Sequence, residues 1–255
     1  MANSLEVQSL HRAFDILEAI GSSTTPVGLK QITEMTGLPK STVYRLLSNL
    51  ESRNYITCDH NSTYRLGLQL LKLNQLAEKD FEIKNVARGF LESLNAFTKE
   101  TVHLAMLDKN RVLYVDTVES PHALRLVAKL GTTNSVHCTA LGKALLIGHS
   151  DSDIEKILRE QGMDVRTEYT LTTPESYLTE MRIVRQTGYA LDDRESELEG
   201  RCIGAPIYNR SGEVIAAISI SGLAARFARE FIEKEVVHRL LEATHTISKT
   251  FGYTV

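Results

Sequence analysis

The chain of 255 residues is long enough for two domains, and its 42% hydrophobic and 24% charged residues are typical of a soluble globular protein. The net charge of −3 argues against a uniformly basic nucleic-acid binder, although a local basic patch can still contact phosphates. No apolar run approaches the roughly 18 residues that a transmembrane helix needs, and the N-terminus lacks the pattern of a signal peptide. We therefore expect a cytoplasmic protein without membrane contact.

The three cysteines, Cys58, Cys138 and Cys202, are odd in number and widely separated. Neither a disulfide framework nor a CxxC metal site is indicated by this spacing. We expect free thiols in a reducing compartment.

The first 66 residues predict three helices followed by two short strands. Apolar residues at helical spacing indicate a first helix ended by Gly21 and a second, short helix stopped by Gly37. The stretch GLPKSTVYRLLSNL predicts a third helix that begins at about Pro39, and its apolar face carries Val43, Leu46, Leu47 and Leu50. Asn54 is expected to end this helix in the left-handed conformation.

The third helix has a basic, hydroxyl-rich face in its first two turns, and two β-prone runs, YIT and TYRLG, follow it. This order of elements is that of a winged helix-turn-helix, whose last helix enters the major groove of DNA while the hairpin reaches the adjacent backbone. The alternative is a solvated face on a small helical domain. The predicted DNA-binding residues are Lys40, Ser41, Thr42, Tyr44, Arg45 and, in the hairpin, Arg65.

A helix rich in leucine follows Gly67, and its apolar residues cannot share one narrow stripe. We expect a linker helix over residues 67–80, held between its own domain and a partner subunit. A buried helix of a single domain is the alternative. The leucines are Leu68, Leu70, Leu71, Leu73 and Leu76.

Residues 81–255 predict an α+β domain in which helices cover a sheet. TVHLAML, RVLYVDTV and ALRLVAKL have the pattern of strands, and RCIGAPIY with EVIAAISISG forms a hairpin around NRSG. Among the intervening helices, one has Thr173 as N-cap, Pro174 at its first position and Gly188 beyond its end.

Several polar groups in this second domain are expected to converge. In EVIAAISISG, Val214, Ala216, Ile218 and Ile220 share the core face, whereas Ser219 and Ser221 end the other face. Cys202 lies beside small residues in the paired strand, and the acidic stretch LDDRESELEG offers Asp192 and Glu195. The helix beginning within HCTALGKALL presents free N–H groups that can hold a carboxylate. These features predict a pocket for a small polar acid; core filler and a solvated acidic loop are the alternative.

An enzymatic function is not supported by the motifs. The G-x-S-x-G elbow is absent, and no two histidines have helical ligand spacing. His137 and Cys138 could be imagined with Asp192 as a thiol dyad, but neighbours on a strand point to opposite faces. A metal held by His103 and His137 stays an alternative, and we predict no catalytic residue, no metal ligand and no cofactor.

The two halves together resemble the IclR family of bacterial transcriptional regulators. The resemblance covers nearly the whole chain and rests on LKQITEMTGLPKSTVYRLLSNLESRNYI, TYRLG, ETVHLAML, HCTALGKALL, QTGYALDDRESELEGRCIGAPI and AAISISG. It implies a winged helix-turn-helix over residues 1–66, a linker helix over 67–80 and a GAF-like effector-binding domain over 81–255. It also implies a homodimer or dimer of dimers that binds operator DNA and senses a small organic acid.

Carried over by residue, the resemblance places the recognition helix at Lys40, Ser41, Thr42 and Arg45. It places the effector pocket at Ala140, Leu141, Asp192, Cys202, Ser219 and Ser221. One departure is Glu199, which stands three residues before the pocket cysteine where the family often has glycine. The expected function is repression of a catabolic operon in response to a carboxylic, sugar or aromatic acid. One alternative is an activator of the same family, and another is a metabolite-binding protein that does not bind DNA or a small-acid enzyme.

Overall fold

The computed structural model describes residues 7–78 and 82–254. By contacts between Cα atoms the chain divides into two compact units, Met1–Phe81 and Glu82–Val255. In the described ranges, no helix combines the length and hydropathy needed to cross a membrane. The predicted limits of the DNA-binding, linker and effector domains stay a prediction.

The first unit contains four helices and a small antiparallel sheet of order β1-β3-β2 among its described residues. Its elements are α1 (Gln8–Gly21), β1 (Val27–Gly28), α2 (Leu29–Thr36), α3 (Lys40–Ser52), β2 (Ile56–Cys58), β3 (Thr63–Leu66) and α4 (Leu68–Glu78).

The core of the first unit forms where one face of each helix meets the sheet. Val43 and Leu47 of α3 are buried, as the periodicity predicted, and they pack with Ile16 of α1 and Ile32 of α2. The strand β1, which pairs with β3, was not predicted, because two residues are too few for a pattern.

Two details at the ends of α3 differ in how well they were predicted. Pro39 is the N-cap with ψ of 138° rather than the first helical residue, because the helix begins at Lys40. Asn54 has φ of 59°, which confirms the predicted left-handed conformation.

The second unit contains a six-stranded sheet of order β6-β5-β4-β9-β8-β7, with neighbouring strands antiparallel. Together with the first unit it confirms the predicted α+β class. Its elements are α5 (Glu82–Thr98), β4 (Thr101–Asp108), β5 (Arg111–Val118), β6 (Thr133–Asn134), α6 (Ala140–Leu145), α7 (Asp151–Gln161), α8 (Pro174–Thr187), β7 (Ala190–Asp193), β8 (Gly200–Tyr208), β9 (Val214–Leu223), α9 (Arg229–Phe231), a π-helical segment (Ile232–Val236) and α10 (Val237–Thr250).

Each face of this sheet carries its own hydrophobic core. Alternate residues of β4 and β9, such as Leu104 and Ile218, pack on one face with α5 and α10. The residues between them, such as Ala105 and Ala217, pack on the other face with α6, α7 and α8. Side chains of adjacent strand positions point to opposite faces, so a single strand contributes to both cores.

Helix α8 matches its predicted capping. The Thr173 hydroxyl accepts a hydrogen bond from the Ser176 N–H, Pro174 is the first helical residue, and Gly188 has φ of 78°. The bounds of α8 are therefore set by residues that the sequence displays.

One strand prediction is wrong. ALRLVAKL is a loop, and β6 is only the two residues Thr133 and Asn134. The apolar residues of this loop alternate because some contact the interior and others, such as Leu124 and Leu130, are exposed. The segment therefore has the alternating pattern of a strand, although none of the described strands pairs with it.

The face prediction for β9 holds from Ala216 onward but not at its first residues. Val214 packs with the α6 side of the sheet and Ile215 with the α5 side. A register shift between Ile207 and Tyr208 of the paired β8 strand displaces the ladder at this end.

Candidate functional site

A cavity of about 350 Å³ lies on the α6 side of the sheet. Strands β4 to β9 supply its base, and α6, the loop before β6 and the turn after β7 supply its walls. The lining residues are His103, Tyr114, Arg125, Leu126, Val127, Ala128, Asn134, Thr139, Ala140, Leu141, Asp192, Ser196, Glu197, Cys202, Ser219 and Ser221. All six residues of the predicted pocket are among them.

Strand register explains why residues distant in sequence converge. Cys202 pairs with both Asp192 and Ser221, so these three form one row across β7, β8 and β9. Ser219 pairs with His103 in the next row on the same face. Directly paired residues share a face of the sheet, which places their side chains together in the cavity.

Helix α6 approaches the sheet closely because β8 has a glycine beneath it. A Cβ atom on Gly204 would lie 2.9 Å from the Ala140 carbonyl oxygen. The small residues that follow Cys202 in the sequence therefore leave room for another backbone at this position. This close approach brings the start of α6 onto the polar rows of the sheet.

The first turn of α6 carries backbone donors at the cavity. Thr139 caps the helix by accepting a hydrogen bond from the Gly142 N–H, and Ala140 and Leu141 line the cavity. With only six residues, α6 has a small macrodipole, so its attraction for an anion rests on the N–H groups themselves.

Asp192 organises the turn that forms one wall of the cavity. Its Oδ1 accepts hydrogen bonds from the N–H groups of Glu195 and Ser196, and its Oδ2 accepts one from the Ser196 hydroxyl at 2.6 Å. A carboxylate has about four acceptor positions, so about one remains for a ligand donor. Burial raises the Asp192 pKa, and the Ser196 hydrogen bonds oppose this effect.

Burial also fixes the protonation of two other lining groups. It lowers the His103 pKa to about 4, so the ring is neutral at pH 7, and His103 Nδ1 lies 3.0 Å from the Thr117 hydroxyl. Burial raises the pKa of the Cys202 thiol far above its usual range, with the charge of Asp192 adding to the effect. The thiol is therefore neutral and a poor nucleophile.

The polar face of α3 forms a separate surface on the first unit. Lys40, Ser41, Tyr44 and Arg45 are exposed, whereas Thr42 is half-buried. Arg65 is exposed on β3, the central strand of the small sheet. Within the described residues, no ion pair occupies Lys40 or Arg45, so both charges face solvent.

Comparison with known proteins identifies both units. Residues 9–60 match the protein family described as "IclR helix-turn-helix domain". Residues 75–249 match the family described as "Bacterial transcriptional regulator IclR C-terminal". The chain belongs to the IclR family. As a family member it is a ligand-responsive, DNA-binding transcriptional regulator, and not an enzyme.

Similarity to individual IclR proteins extends over nearly the whole chain. The HTH-type transcriptional regulator KdgR of Dickeya chrysanthemi is 34% identical over 97% of this chain and 81% of that protein. The transcriptional repressor IclR of Escherichia coli is 28% identical over 97% of this chain and 91% of that protein. The crystal structure of Thermotoga maritima IclR has a TM-score of 0.81 at 30% identity, covering 97% of this chain and all of that one.

Sequence reasoning missed the cavity wall formed by the loop before β6. Arg125 is a cation in the lining, and its Nε and Nη2 donate to Glu119 Oε2 at 2.9 and 2.7 Å. Leu126, Val127 and Ala128 follow it in the loop that was predicted as a strand. No local motif marks a loop as a cavity wall, but the polar His103 within an apolar strand was an available signal.

Three residues that the sequence analysis discussed do not line the cavity. Glu195 pairs instead with Lys143. Glu199 is exposed elsewhere, and His137 Nε2 bonds to the Asp164 carbonyl. His103 and His137 therefore do not converge on one cavity, and no group of three metal-binding side chains is found among the described residues.

Proposed function

We propose that this protein is a cytoplasmic repressor of a catabolic operon, and that a small carboxylic, sugar or aromatic acid bound in the α6 cavity releases it from operator DNA. The single observation that carries the effector class is the cavity, whose polar rows face backbone donors of α6. The name of the similar repressor IclR supports repression as the sign. Activation by the same architecture is the competing reading.

The acid is recognised by groups of different charge at different walls. The N–H groups of Ala140 and Leu141 receive the carboxylate. Ser219, whose hydroxyl has no hydrogen-bond partner within the described residues, offers one donor and two acceptor positions to a neighbouring oxygen. Asp192 accepts a hydrogen bond from a ligand hydroxyl and repels a second carboxylate of the ligand. Arg125, on the wall formed by the loop before β6, attracts an anionic group.

Operator recognition rests on α3. Its exposed residues lie on the face opposite the buried Val43 and Leu47, which is the geometry of a recognition helix in the major groove. Arg45 is the side chain best suited to contact guanine or phosphate, and Lys40, Ser41, Thr42 and Tyr44 flank it. Arg65 on the wing contacts the adjacent phosphate backbone.

Dimerisation is supported by apolar side chains that the first unit leaves exposed. Val7, Leu10 and Phe14 on or next to α1 have 59%, 53% and 52% exposure. On α4, Leu68 and Leu71 are 68% and 61% exposed. A homodimer, or a dimer of dimers, would cover these residues and present two recognition helices to half-sites spaced by one helical turn or a multiple of it.

The effector proposal is tested by removing the two hydroxyls of β9. Ser219→Ala with Ser221→Ala should keep operator binding but lose the response to effector. A thermal-shift screen of sugar acids, short keto-acids and aromatic acids first finds the effector, and Ser211→Ala in the exposed turn before β9 is the control. An effector whose action survives the double substitution unchanged would place the pocket elsewhere.

The DNA proposal is tested by Arg45→Ala, with the exposed cation Lys30→Ala on α2 as control. Loss of a base contact should weaken specific binding by about 1–3 kcal/mol, and loss of a phosphate contact should instead flatten the salt dependence. Identical footprints for wild type and Arg45→Ala at several salt concentrations would contradict the assignment of α3. Transcription measured with and without the effector then distinguishes repression from activation.

A further inference from the structure

A buried ion pair lies outside the lining of the cavity. Lys143 of α6 is fully buried, and its Nζ donates to Glu195 Oε1 at 2.6 Å and to the Leu191 carbonyl at 2.7 Å. Its next acidic neighbour is Glu180 Oε1 of α8, at 3.7 Å. The pair connects groups that are 52 residues apart in sequence.

The carboxylate of this pair is only half satisfied. Glu195 is 8% exposed, and its Oε2 is buried without a hydrogen-bond partner in the described part of the chain. An unpartnered oxygen of a buried carboxylate is costly, so proton binding is favoured. Burial raises the Glu195 pKa to about 7, although Lys143 opposes the rise.

The ion pair joins the two polar walls of the cavity. Two residues before Lys143, Leu141 contributes to one wall. On the other side, the Glu195 N–H donates to Asp192 Oδ1, and the next residue, Ser196, lines the cavity. Lys143 binds the chain on both sides of Asp192, through the Leu191 carbonyl and the Glu195 carboxylate.

Two threonine hydroxyls also hold the turn. The Thr167 hydroxyl donates to the Arg194 carbonyl at 2.6 Å, and the Thr170 hydroxyl donates to the Glu195 carbonyl at 2.7 Å. These contacts do not involve α6. The Lys143–Glu195 pair is therefore the charged link between the helix and the turn.

We propose that Lys143 and Glu195 are positioning residues for the effector, and that the ion pair between them holds α6 and the 192–197 turn at the separation that binding requires. This inference rests on the proposed effector cavity. When Glu195 is protonated, the Lys143 ammonium loses its charged partner on the turn. The ammonium group then moves toward Glu180, and the 192–197 turn is no longer held at its distance from α6.

This mechanism makes effector affinity depend on pH near neutrality. With a Glu195 pKa of about 7, the ionised fraction falls from about 90% at pH 8 to about 9% at pH 6, which weakens binding about tenfold if only the paired state binds. The acid itself stays ionised throughout this range.

Three other titratable groups of this region keep one protonation state between pH 6 and pH 8. Burial raises the Cys138 pKa to about 12, and it raises the Tyr177 pKa well above its usual value. His103 titrates near 4. Asp192 and Glu180 are the remaining neighbours, and their negative charges raise the Glu195 pKa further.

Two measurements on the full chain test the proposal. The first is hydrogen exchange of amides 192–197 without ligand, expressed as protection at pH 6 and pH 8. The second is calorimetry with D-gluconate, pyruvate and 4-hydroxybenzoate at the same pH values. Wild type should lose protection in this turn at pH 6, and the affinity of a probe that binds should fall about tenfold.

Lys143→Met combined with Glu195→Gln removes both charges, so it avoids leaving one of them buried alone. This variant should show weaker binding and no dependence on pH in either measurement. The matched control replaces another ion pair of the second unit, Arg185 with Asp151 at 2.7 Å, by Arg185→Met and Asp151→Asn. The control should keep the wild-type pH profile.

Equal protection of the wild-type turn at pH 6 and pH 8 would overturn the proposal, and it requires no variant to fold. A wild-type pH profile in the Lys143→Met, Glu195→Gln variant would also overturn it, because Asp192 would then be its source. If no probe binds wild type at either pH, the effector proposal fails for these acids. The exchange measurement still decides whether the ion pair holds the turn.

Discussion

Replacing Gly204 by alanine should displace the start of α6 from the sheet. The new Cβ would lie 2.9 Å from the Ala140 carbonyl oxygen, 3.0 Å from its carbonyl carbon and 3.3 Å from the Leu141 nitrogen. All three atoms belong to the backbone, so no flexible side chain can turn away. Overpacking of this kind costs about 1–3 kcal/mol, equivalent to a melting temperature lower by about 2–4 °C per kcal/mol for a domain of this size.

Chemical and thermal unfolding measure this cost, and calorimetry with a confirmed effector measures its effect on the cavity. Movement of Ala140 and Leu141 should weaken effector binding about tenfold, which corresponds to about 1.4 kcal/mol. Gly89→Ala is the control: its Cβ would meet nothing within 4 Å on the exposed face of α5, so it should stabilise the chain by about 0.5–1 kcal/mol. A Gly204→Ala protein with wild-type stability and affinity would refute the close contact between α6 and β8.

Three other changes have defined outcomes. Phe14→Glu should shift the sedimentation profile toward monomer, because the charge would enter the apolar surface proposed for dimerisation; an unchanged profile would exclude α1 from that interface. Because the Glu195 pKa of about 7 lies above its ordinary 4.5, the folded chain binds this proton more tightly, and the free energy of unfolding should fall by up to about 3 kcal/mol as pH rises from 4.5 to 7. Glu195→Gln should flatten that part of the stability profile, and denaturant titrations at several pH values would show whether the slope instead persists. Thr173→Ala removes the hydroxyl that caps α8 and should lower stability by about 1 kcal/mol, measured by denaturant unfolding, whereas no change would mean that the hydrogen bond to Ser176 contributes nothing.

The parts of the fold that sequence predicts are those that depend on local periodicity. Val43 and Leu47 show the buried face of α3, and the capping residues Thr173 and Gly188 show both ends of α8. Alternation in β9 also predicts that Ser219 and Ser221 face away from Ile218 and Ile220. That single pattern locates the base of the cavity.

The features that sequence does not show depend on distant partners. The Lys143–Glu195 pair joins two segments whose register is set by the whole sheet. Arg125 and its neighbours form a wall without regular hydrogen bonding, and their alternation resembles that of a strand. The two-residue β1 strand exists only because β3 lies beside it.

The antiparallel register of β4 and β9 divides the residues of these two strands into two sets, one on each face of the sheet. Positions 103, 219 and 221 face the cavity, while positions 102, 104, 218 and 220 pack under α5 and α10. If the cavity binds the effector as proposed, changes to the first set should alter which molecule is recognised without repacking the second. A combinatorial library restricted to the first set should therefore yield many folded proteins with new ligand preferences, and single substitutions in that set should be enough to change effector specificity.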